Sequence, residues 1–438
     1  MRVLLCAPHY APFFEGGTEA VVRASAKELR ALGHEVLVVA GVDQVLSRSE
    51  WPGELFYSAQ QVDGIAVHFI PRLETPEGDL DAALADMLVV RRPLVLELVL
   101  QVAEEFSADV VHIHHHAFLS GGLVAALVKE GFRVALSFHD LYMTCPRFFR
   151  VPVGLDSCPP LTNVEGCAVC LERDSAGVPA ADLRAGLVER RGYFQSEVES
   201  ADLLLAPSEH HAARIASLMG IAPDRIHVLP NGLVRETGHA ISPALREPGG
   251  PLHIFHHGHR ARVKGTMDLV QAMALAAKET NCELTLTLAG GEMEEGYDDE
   301  LRAAAGAVEL RFAGTFTGPD LPSLAAGAHL AAFPSRAPES YGLVVDEAFA
   351  LGLPVLVADS GALPERLCPG GEGAAAAGQS LPAVNPRAWA DAIAILVKDP
   401  AVITRWRAAI PSTMPGPSEA ARLVEPLYRE ILSLPGQP

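Results

Sequence analysis

Short apolar runs alternate along this chain with longer segments whose apolar positions recur every three to four residues. Runs of the first kind suit strands buried on both faces; segments of the second kind suit helices laid over them. The alternation predicts βα units on a parallel sheet. In the first half, strands are predicted at 2–7, 35–40, 65–70, 110–114, 134–139, 203–206 and 226–229. The helices among them include 18–32, one ending near Phe106, and 208–219. A second series has strands at 252–257, 284–289, 309–312, 330–333 and 354–358, with helices at 266–278, 301–305, 321–326 and 341–351. The expected fold class is α/β, with two doubly wound, Rossmann-like domains facing across a cleft.

The breaks in this pattern set the expected boundaries. Residues 1–232 form the first domain, with a Cys-, Pro- and Gly-containing insertion at about 141–180. Residues 233–250 lack periodicity and read as a linker; 251–412 form the second domain. The stretch MPGPS at 414–418 interrupts the chain again. Residues 413–438 then carry a last amphipathic helix that could pack back on the first domain. Residues 370–380 read as a flexible loop. In doubly wound sheets, ligands sit at the carboxyl ends of the strands, so the chemistry is sought there.

Composition narrows the classes. Of 438 residues, 49% are hydrophobic and 20% charged, enough apolar material to exclude a disordered chain. Lys and Arg number 34 against 54 Asp and Glu, a net charge of −20, with no basic run, so nucleic acid is not an expected partner. No stretch approaches the roughly 20 apolar residues of a membrane span, and the N-terminus reads as a first strand rather than a signal peptide. Seven Cys do not make a secreted disulfide framework; a reducing cytoplasm is expected.

The most informative segment is FPSRAPESYGLVVDEAFALGLPVLVA, from Phe333 to Ala358. A strand ends at Phe333, Glu339 precedes a helix that opens near Tyr341-Gly342, and Glu347 lies inside that helix. A helix start at a strand's carboxyl end offers N–H groups and a dipole to an anion, and Gly342 allows close approach. Carboxylates on either side can accept hydrogen bonds from sugar hydroxyls. A phosphorylated, polyhydroxylated ligand is therefore expected. The second signal, His256-His257-Gly258-His259-Arg260-Ala261-Arg262-Val263-Lys264-Gly265, follows a strand and opens a helix. Cations there can neutralise a diphosphate leaving group.

The E-x7-E element in its setting P-S-x3-E-S-Y-G-L-V-V-D-E-A-x3-G-L-P-V resembles the signature of the retaining glycosyltransferases of family 4, which have the GT-B fold. The resemblance implies that Glu339 faces the donor sugar and Glu347 binds the nucleotide ribose. It implies that backbone N–H groups at Gly342 and Leu343, beside Tyr341, bind the diphosphate or sugar. It implies contacts to the base near Ala313-Gly314-Thr315-Phe316. The family pattern G-R-x4-K-G is kept at Gly258, Lys264 and Gly265, but His259 stands where an Arg is usual. Lys264 is thus the expected diphosphate cation, and Arg260, Arg262 or a protonated His259 its candidate partner. The DLLLAPS stretch at 202–208 and Pro230-Asn231-Gly232 also match.

In the first half, Gly16 and Gly17 lie between the first strand and helix, where the family's Gly-rich loop approaches donor and acceptor. His139, in Ser137-Phe138-His139-Asp140, resembles the family's active-site His, which touches the donor sugar. His112, His114 and His116 would share one face of a strand, a spacing that invites zinc; an acceptor-binding or structural role is favoured over metal. Within the insertion, Cys145, Cys158, Cys167 and Cys170 are spaced C-x12-C-x8-C-x2-C. Four thiolates suit a closed structural zinc; a [4Fe–4S] cluster or free thiols are the alternatives.

Together these readings describe a cytoplasmic retaining glycosyltransferase that takes a sugar from a nucleoside-diphosphate sugar without a catalytic divalent metal. Its acceptor would be a glycan, a lipid-linked molecule or a small molecule, with peripheral membrane contact open. The rivals are a catalytically silent nucleotide-sugar-binding protein, favoured by His259, and a GT-B phosphorylase or epimerase. No Lys fits a pyridoxal-phosphate anchor, and Gly16-Gly17 does not complete the dinucleotide motif G-x-G-x-x-G.

Overall fold

The computed structural model describes residues 1–14, 16–46, 57–73, 92–151, 158, 163–172, 178–235, 237, 246–368 and 374–435. The chain divides into two compact units, Met1–Asn231 with Pro417–Pro438, and Gly232–Gly416.

The first unit is built on eight strands: β1 (Arg2–Ala7), β2 (Glu35–Leu46), β3 (Ser58–Val62), β4 (Ile65–Leu73), β5 (Val110–Ile113), β6 (Arg133–Ser137), β7 (Leu203–Ala206) and β8 (Ile226–Val228). Their order across the sheet is β3-β4-β2-β1-β5-β6-β7-β8. All neighbours run parallel except β3 and β4, which form an antiparallel edge pair. The central strands β5 and β7 are buried at every position, which requires cover on both faces. That cover comes from α1 (Gly17–Ala31), α2 (Pro93–Phe106), α3 (Leu123–Lys129), α5 (Ala180–Ser200) and α6 (Glu209–Met219), while α4 (Val164–Glu172) packs on α5 in a small cluster of its own. In α1 the buried Val22, Ala26 and Leu29 fall at i, i+4 and i+7, the stripe of a helix laid on a sheet.

The second unit holds β9 (Leu252–His257), β10 (Leu284–Ala289), β11 (Glu309–Gly314), β12 (Leu330–Phe333), β13 (Val355–Ala358) and β14 (Gly378–Leu381), in the order β11-β10-β9-β12-β13-β14 and wholly parallel. Its helices are α7 (Thr266–Thr280), α8 (Tyr297–Ala304), α9 (Leu321–Leu324), α10 (Leu343–Ala350), α11 (Pro386–Lys398) and α12 (Ala401–Ala408). One continuous core, from Leu252 to Ile403, fills the space between them.

The last helix, α13 (Pro417–Ser433), belongs to the first unit. Its buried residues Ala421, Val424, Tyr428 and Ile431 recur at helical spacing, and the last three join the same core as Val3, Leu5, Val22 and Leu29. Ser418 on this helix donates to the carboxylate of Glu28 on α1.

Several elements depart from the sequence pattern. β2 runs on to Leu46, and the β3–β4 pair was invisible because β3 (SAQQV) is almost wholly exposed and carries no apolar face. The stretch expected to be a loop at 370–380 ends in β14, which pairs with β13 through Val355↔Gly378. The Cys-rich insertion is not a structureless block: α4 lies within it, and α5 begins where it was expected to end. Residues 152–157, 159–162 and 173–177 of the insertion, residues 236 and 238–245 of the expected linker, and 369–373 lie outside the described residues.

Candidate functional site

The carboxyl ends of β9 and β12, adjacent strands in the second sheet, carry two loops that pack on each other. After β9 the chain passes Gly258, makes a short 3-10 turn at Arg262–Lys264 and enters α7. After β12 it passes Pro334 to Gly342 and enters α10. The N–H groups of Arg336 and Ala337 both donate to the carbonyl of Val263, at 3.0 and 3.1 Å. A Cβ at Gly265 would stand 1.9 Å from the Pro334 carbonyl oxygen, and its φ is +72°, so glycine is required on both counts.

This packing brings Lys264 to Glu339. The Nζ lies 2.8 Å from Oε1, and the Ser335 hydroxyl donates to the same oxygen at 2.7 Å. Burial pushes the Glu339 carboxyl up, but the Lys264 ammonium and the Ser335 hydroxyl outweigh it and hold the group below its ordinary value. The Glu339 backbone is pinned as well: its carbonyl accepts from Ala362 N–H at 2.8 Å. A Cβ on Gly361 would come within 2.2 Å of that carbonyl oxygen. Gly342, with φ +94°, caps the N-terminus of α10. Tyr341 is buried; its hydroxyl donates to Asp346 at 2.9 Å and accepts the N–H of Gly232 at 3.0 Å. Arg366 binds Asp346 at 2.6 Å and lies over the Tyr341 ring. Leu343 opens α10, and Thr315 lies exposed just past β11.

Glu347 is 1% exposed. Its two oxygens are divided between His257, whose Nε2 lies 2.9 Å from Oε2, and Arg235, whose Nη1 lies 3.3 Å from Oε1. The two arginines expected to assist Lys264 are otherwise employed. Arg260 is buried, forks onto Asp298 at 2.6 and 2.7 Å and donates to the Gly290 carbonyl. Arg262 is held by Glu294 at 2.9 Å and Glu300 at 2.6 Å on the surface side of the turn. Burial, helped by the positive charges of Lys264 and Arg235, lowers the pKa of His259, so this residue is neutral near pH 7.

In the first unit, Gly16 and Gly17 open α1, and Gly16 N–H donates to Glu19 at 3.0 Å. Burial raises the pKa of Glu19. His139 lies two residues past β6, its Nε2 2.9 Å from Nδ1 of His114. Burial, then the neighbouring His115, lowers its pKa to about 3, so the ring is neutral. Asp140 meets His115 at 3.2 Å and accepts the Tyr142 N–H at 2.7 Å. The histidines of the 112–116 run do not converge on a metal. His112 spends both ring nitrogens, on Tyr428 at 2.6 Å and Ser137 at 2.8 Å; His116 binds Glu197 at 3.0 Å.

None of the seven cysteines is joined in a disulfide. Cys167 and Cys170 lie one turn apart in α4, and Arg150 donates to the Cys158 sulfur at 3.4 Å. The charges of Cys158 and Cys167 reach Cys145, whose thiol is pushed up chiefly by burial. Among the described residues, no three His, Cys, Asp or Glu side chains are grouped to hold a metal ion.

Sequence reasoning missed Arg235, His257, Glu19 and Tyr428. His257 had a signal, a polar residue at the end of an apolar strand beside the flagged glycine. Arg235 had none, since it follows Pro230-Asn231-Gly232 in a segment without periodicity.

The model of the Glyco_transf_4 family (Glycosyltransferase Family 4) matches residues 15–236, and that of the glycosyl transferases group 1 matches residues 239–412. The D-inositol 3-phosphate glycosyltransferase of Corynebacterium urealyticum is 30% identical over 420 residues, covering 91% of this chain and 88% of the relative. That of Corynebacterium glutamicum is 26% identical over 424 residues, covering 91% and 89%. Sucrose-phosphate synthase from Thermosynechococcus elongatus superposes with a TM-score of 0.67 at 19% identity, covering 99% of both chains. HepE of Anabaena, solved with UDP and glucose, gives 0.59 at 18% identity, covering 98% of this chain and 99% of HepE. These structural likenesses carry the GT-B fold.

Proposed function

This chain belongs to glycosyltransferase family 4, and from that premise we propose that its second unit holds a nucleoside-diphosphate sugar through Lys264, Glu339, Glu347 and the amino end of α10. As a member of the family it is a retaining glycosyltransferase. The observation that carries the site reading is the Lys264–Glu339 pair, 2.8 Å apart, seated beside the glycine that caps α10.

In this reading the diphosphate lies against the leading N–H groups of α10, at Gly342 and Leu343, where the helix dipole favours negative charge. Glu347 accepts from the ribose hydroxyls and Glu339 from the sugar. The bond between the anomeric carbon and the leaving phosphate oxygen breaks, and its electron pair stays on the diphosphate. Lys264 opposes that growing charge, which is worth more in a partly buried site than in water. The acceptor oxygen bonds to the same face of the anomeric carbon, and its proton passes to the departing phosphate oxygen. His139, with Gly16 and Gly17, is proposed to serve sugar and acceptor from the first unit. Its neutral ring suits hydrogen bonding rather than charge neutralisation.

The acceptor class proposed is a hydroxyl on a glycan, lipid-linked molecule or small molecule. The relatives' name makes D-inositol 3-phosphate the first acceptor to try. The four insertion cysteines are proposed to take a structural zinc, supported by their C-x12-C-x8-C-x2-C spacing. Elemental analysis expects one zinc per chain; iron with sulfide, or metal-free protein from reducing purification, rejects it. A cytoplasmic location is proposed, in keeping with seven cysteines that form no disulfide. Among the described residues no helix is long and apolar enough to cross a membrane.

A donor panel with detection of released nucleoside diphosphate tests the function. Turnover by the native chain, abolished by Glu339→Ala and Lys264→Ala in folded protein, is expected. Native-like rates in both variants reject the site. One observation favours the silent-binder reading, the His at 259; donor binding without turnover across the panel would establish it.

A further inference from the structure

A departing diphosphate carries about two negative charges, and one ammonium does not balance it. The residue that should supply the second cation, position 259, is a histidine held neutral by its surroundings. The nearby arginines in sequence are committed: Arg260 is locked in a fork with Asp298, and Arg262 reaches Glu294 and Glu300 on the far side of the turn. Arg336, on the opposite loop, forks onto Asp268 at 2.7 Å through both nitrogens. Arg366 is bound to Asp346 and stacked on Tyr341.

Arg235 is placed differently. Its side chain is a quarter exposed and meets one oxygen of Glu347 at 3.3 Å, a long contact beside the bidentate forks of Arg260 and Arg336. It is also close enough to His259 for its charge to act on that ring. It therefore stands between the carboxylate assigned to the ribose and the position where the family's arginine is missing. In a nucleoside diphosphate, the phosphates follow the ribose by one methylene.

We propose that Arg235 contacts the donor diphosphate and replaces the absent arginine of position 259 as the partner of Lys264. This rests on the donor reading given above. When the ribose hydroxyls occupy Glu347, the guanidinium exchanges its 3.3 Å contact with that carboxylate for phosphate oxygens, which its planar fork matches. No covalent step is assigned to it; it binds and neutralises.

The test is calorimetric binding of UDP, GDP and ADP, each beside its own nucleoside, to the full chain. The pair that the native chain binds is then used for the variants. Arg235→Ala is expected to weaken diphosphate binding about tenfold or more and leave the nucleoside unchanged. Arg235→Lys is expected to lose less. Adding His259→Arg to Arg235→Ala is expected to restore diphosphate affinity, which a merely structural arginine would not show. Unchanged diphosphate affinity in Arg235→Ala overturns the proposal, as does an equal loss for nucleoside and diphosphate, which would assign Arg235 to ordering Glu347. Failure of the native chain to bind any of the three diphosphates, or indifference of binding to Glu347→Ala, overturns the donor reading itself.

Discussion

Lys264 and Glu339 meet at 2.8 Å although 75 positions separate them in the chain. Neither is at the surface nor deep in the core, with side chains 27% and 21% exposed. The pair exists because Gly265 lets the β9 loop press against Pro334 of the β12 loop. Lys264→Met should lower the turnover rate by about two to three orders of magnitude, the range for removing a preorganised charge. It should also cost about 1–2 kcal/mol of stability, between the values for surface and buried pairs. Because Glu339 titrates below its ordinary value, the pair's contribution is present above the unfolded carboxylate pKa and disappears as the pH falls through the folded one. Native and variant unfolding curves should therefore converge in acid. A gap that does not narrow at all as the pH falls through the carboxylate range contradicts this assignment.

His257 deserves a separate variant, because its Nε2 faces a carboxylate oxygen that is 1% exposed. His257→Val removes a donor and leaves Glu347 buried with less compensation, at a cost of about 1–3 kcal/mol. Urea unfolding should show the loss, and nucleoside affinity should fall with it. His257→Asn, which keeps an N–H donor, should recover part of both. Equal stability of native chain and His257→Val would show that the contact contributes nothing.

Gly361 has φ +67°, and a methyl group there would press on the backbone of Glu339. Gly361→Ala should destabilise by more than about 1 kcal/mol through backbone strain. More diagnostically, kcat should fall while nucleoside binding at Glu347 stays close to native. A drop in nucleoside affinity matching the drop in kcat would mean that the whole loop has moved.

Buried neutral histidines give the fold an acid-sensitive limb. His112 is held at a pKa of about 3, and His211 and His256 at about 4, each mainly by burial. The unfolded chain protonates these rings near 6.5 and the folded chain does not, so unfolding takes up protons as the pH falls below 6.5. Each contributes up to about 1.4 kcal/mol per pH unit across that window. Urea midpoints should fall steadily from pH 7 to pH 5, before most carboxylates titrate. A flat profile over that range would exclude it.

The βα alternation was readable because parallel strands buried on both faces must be apolar at every position, as in LLLA of β7 and VLVA of β13. The Glu339 and Lys264 loops were readable for a related reason: each sits where a strand stops and a helix starts, and glycine marks both. What stayed hidden was set by tertiary contact. The exposed edge strand β3 has no apolar face to betray it. The engagement of Arg260 with Asp298 depends on α8, 38 residues on, and nothing local distinguishes Arg260 from Arg262. Arg235 gains its meaning only from Glu347, 112 positions away.

The membership of α13 in the first unit has a bearing on biosynthesis. Val424, Tyr428 and Ile431 complete a core whose other members, among them Val3, Val22 and Leu29, are translated at the very beginning. That body therefore waits with an open seam while Gly232–Gly416 is made. A ribosome-bound chain halted before Pro417 is expected to carry an exposed oily groove along α1 and β1, a natural client for a chaperone until the closing helix arrives.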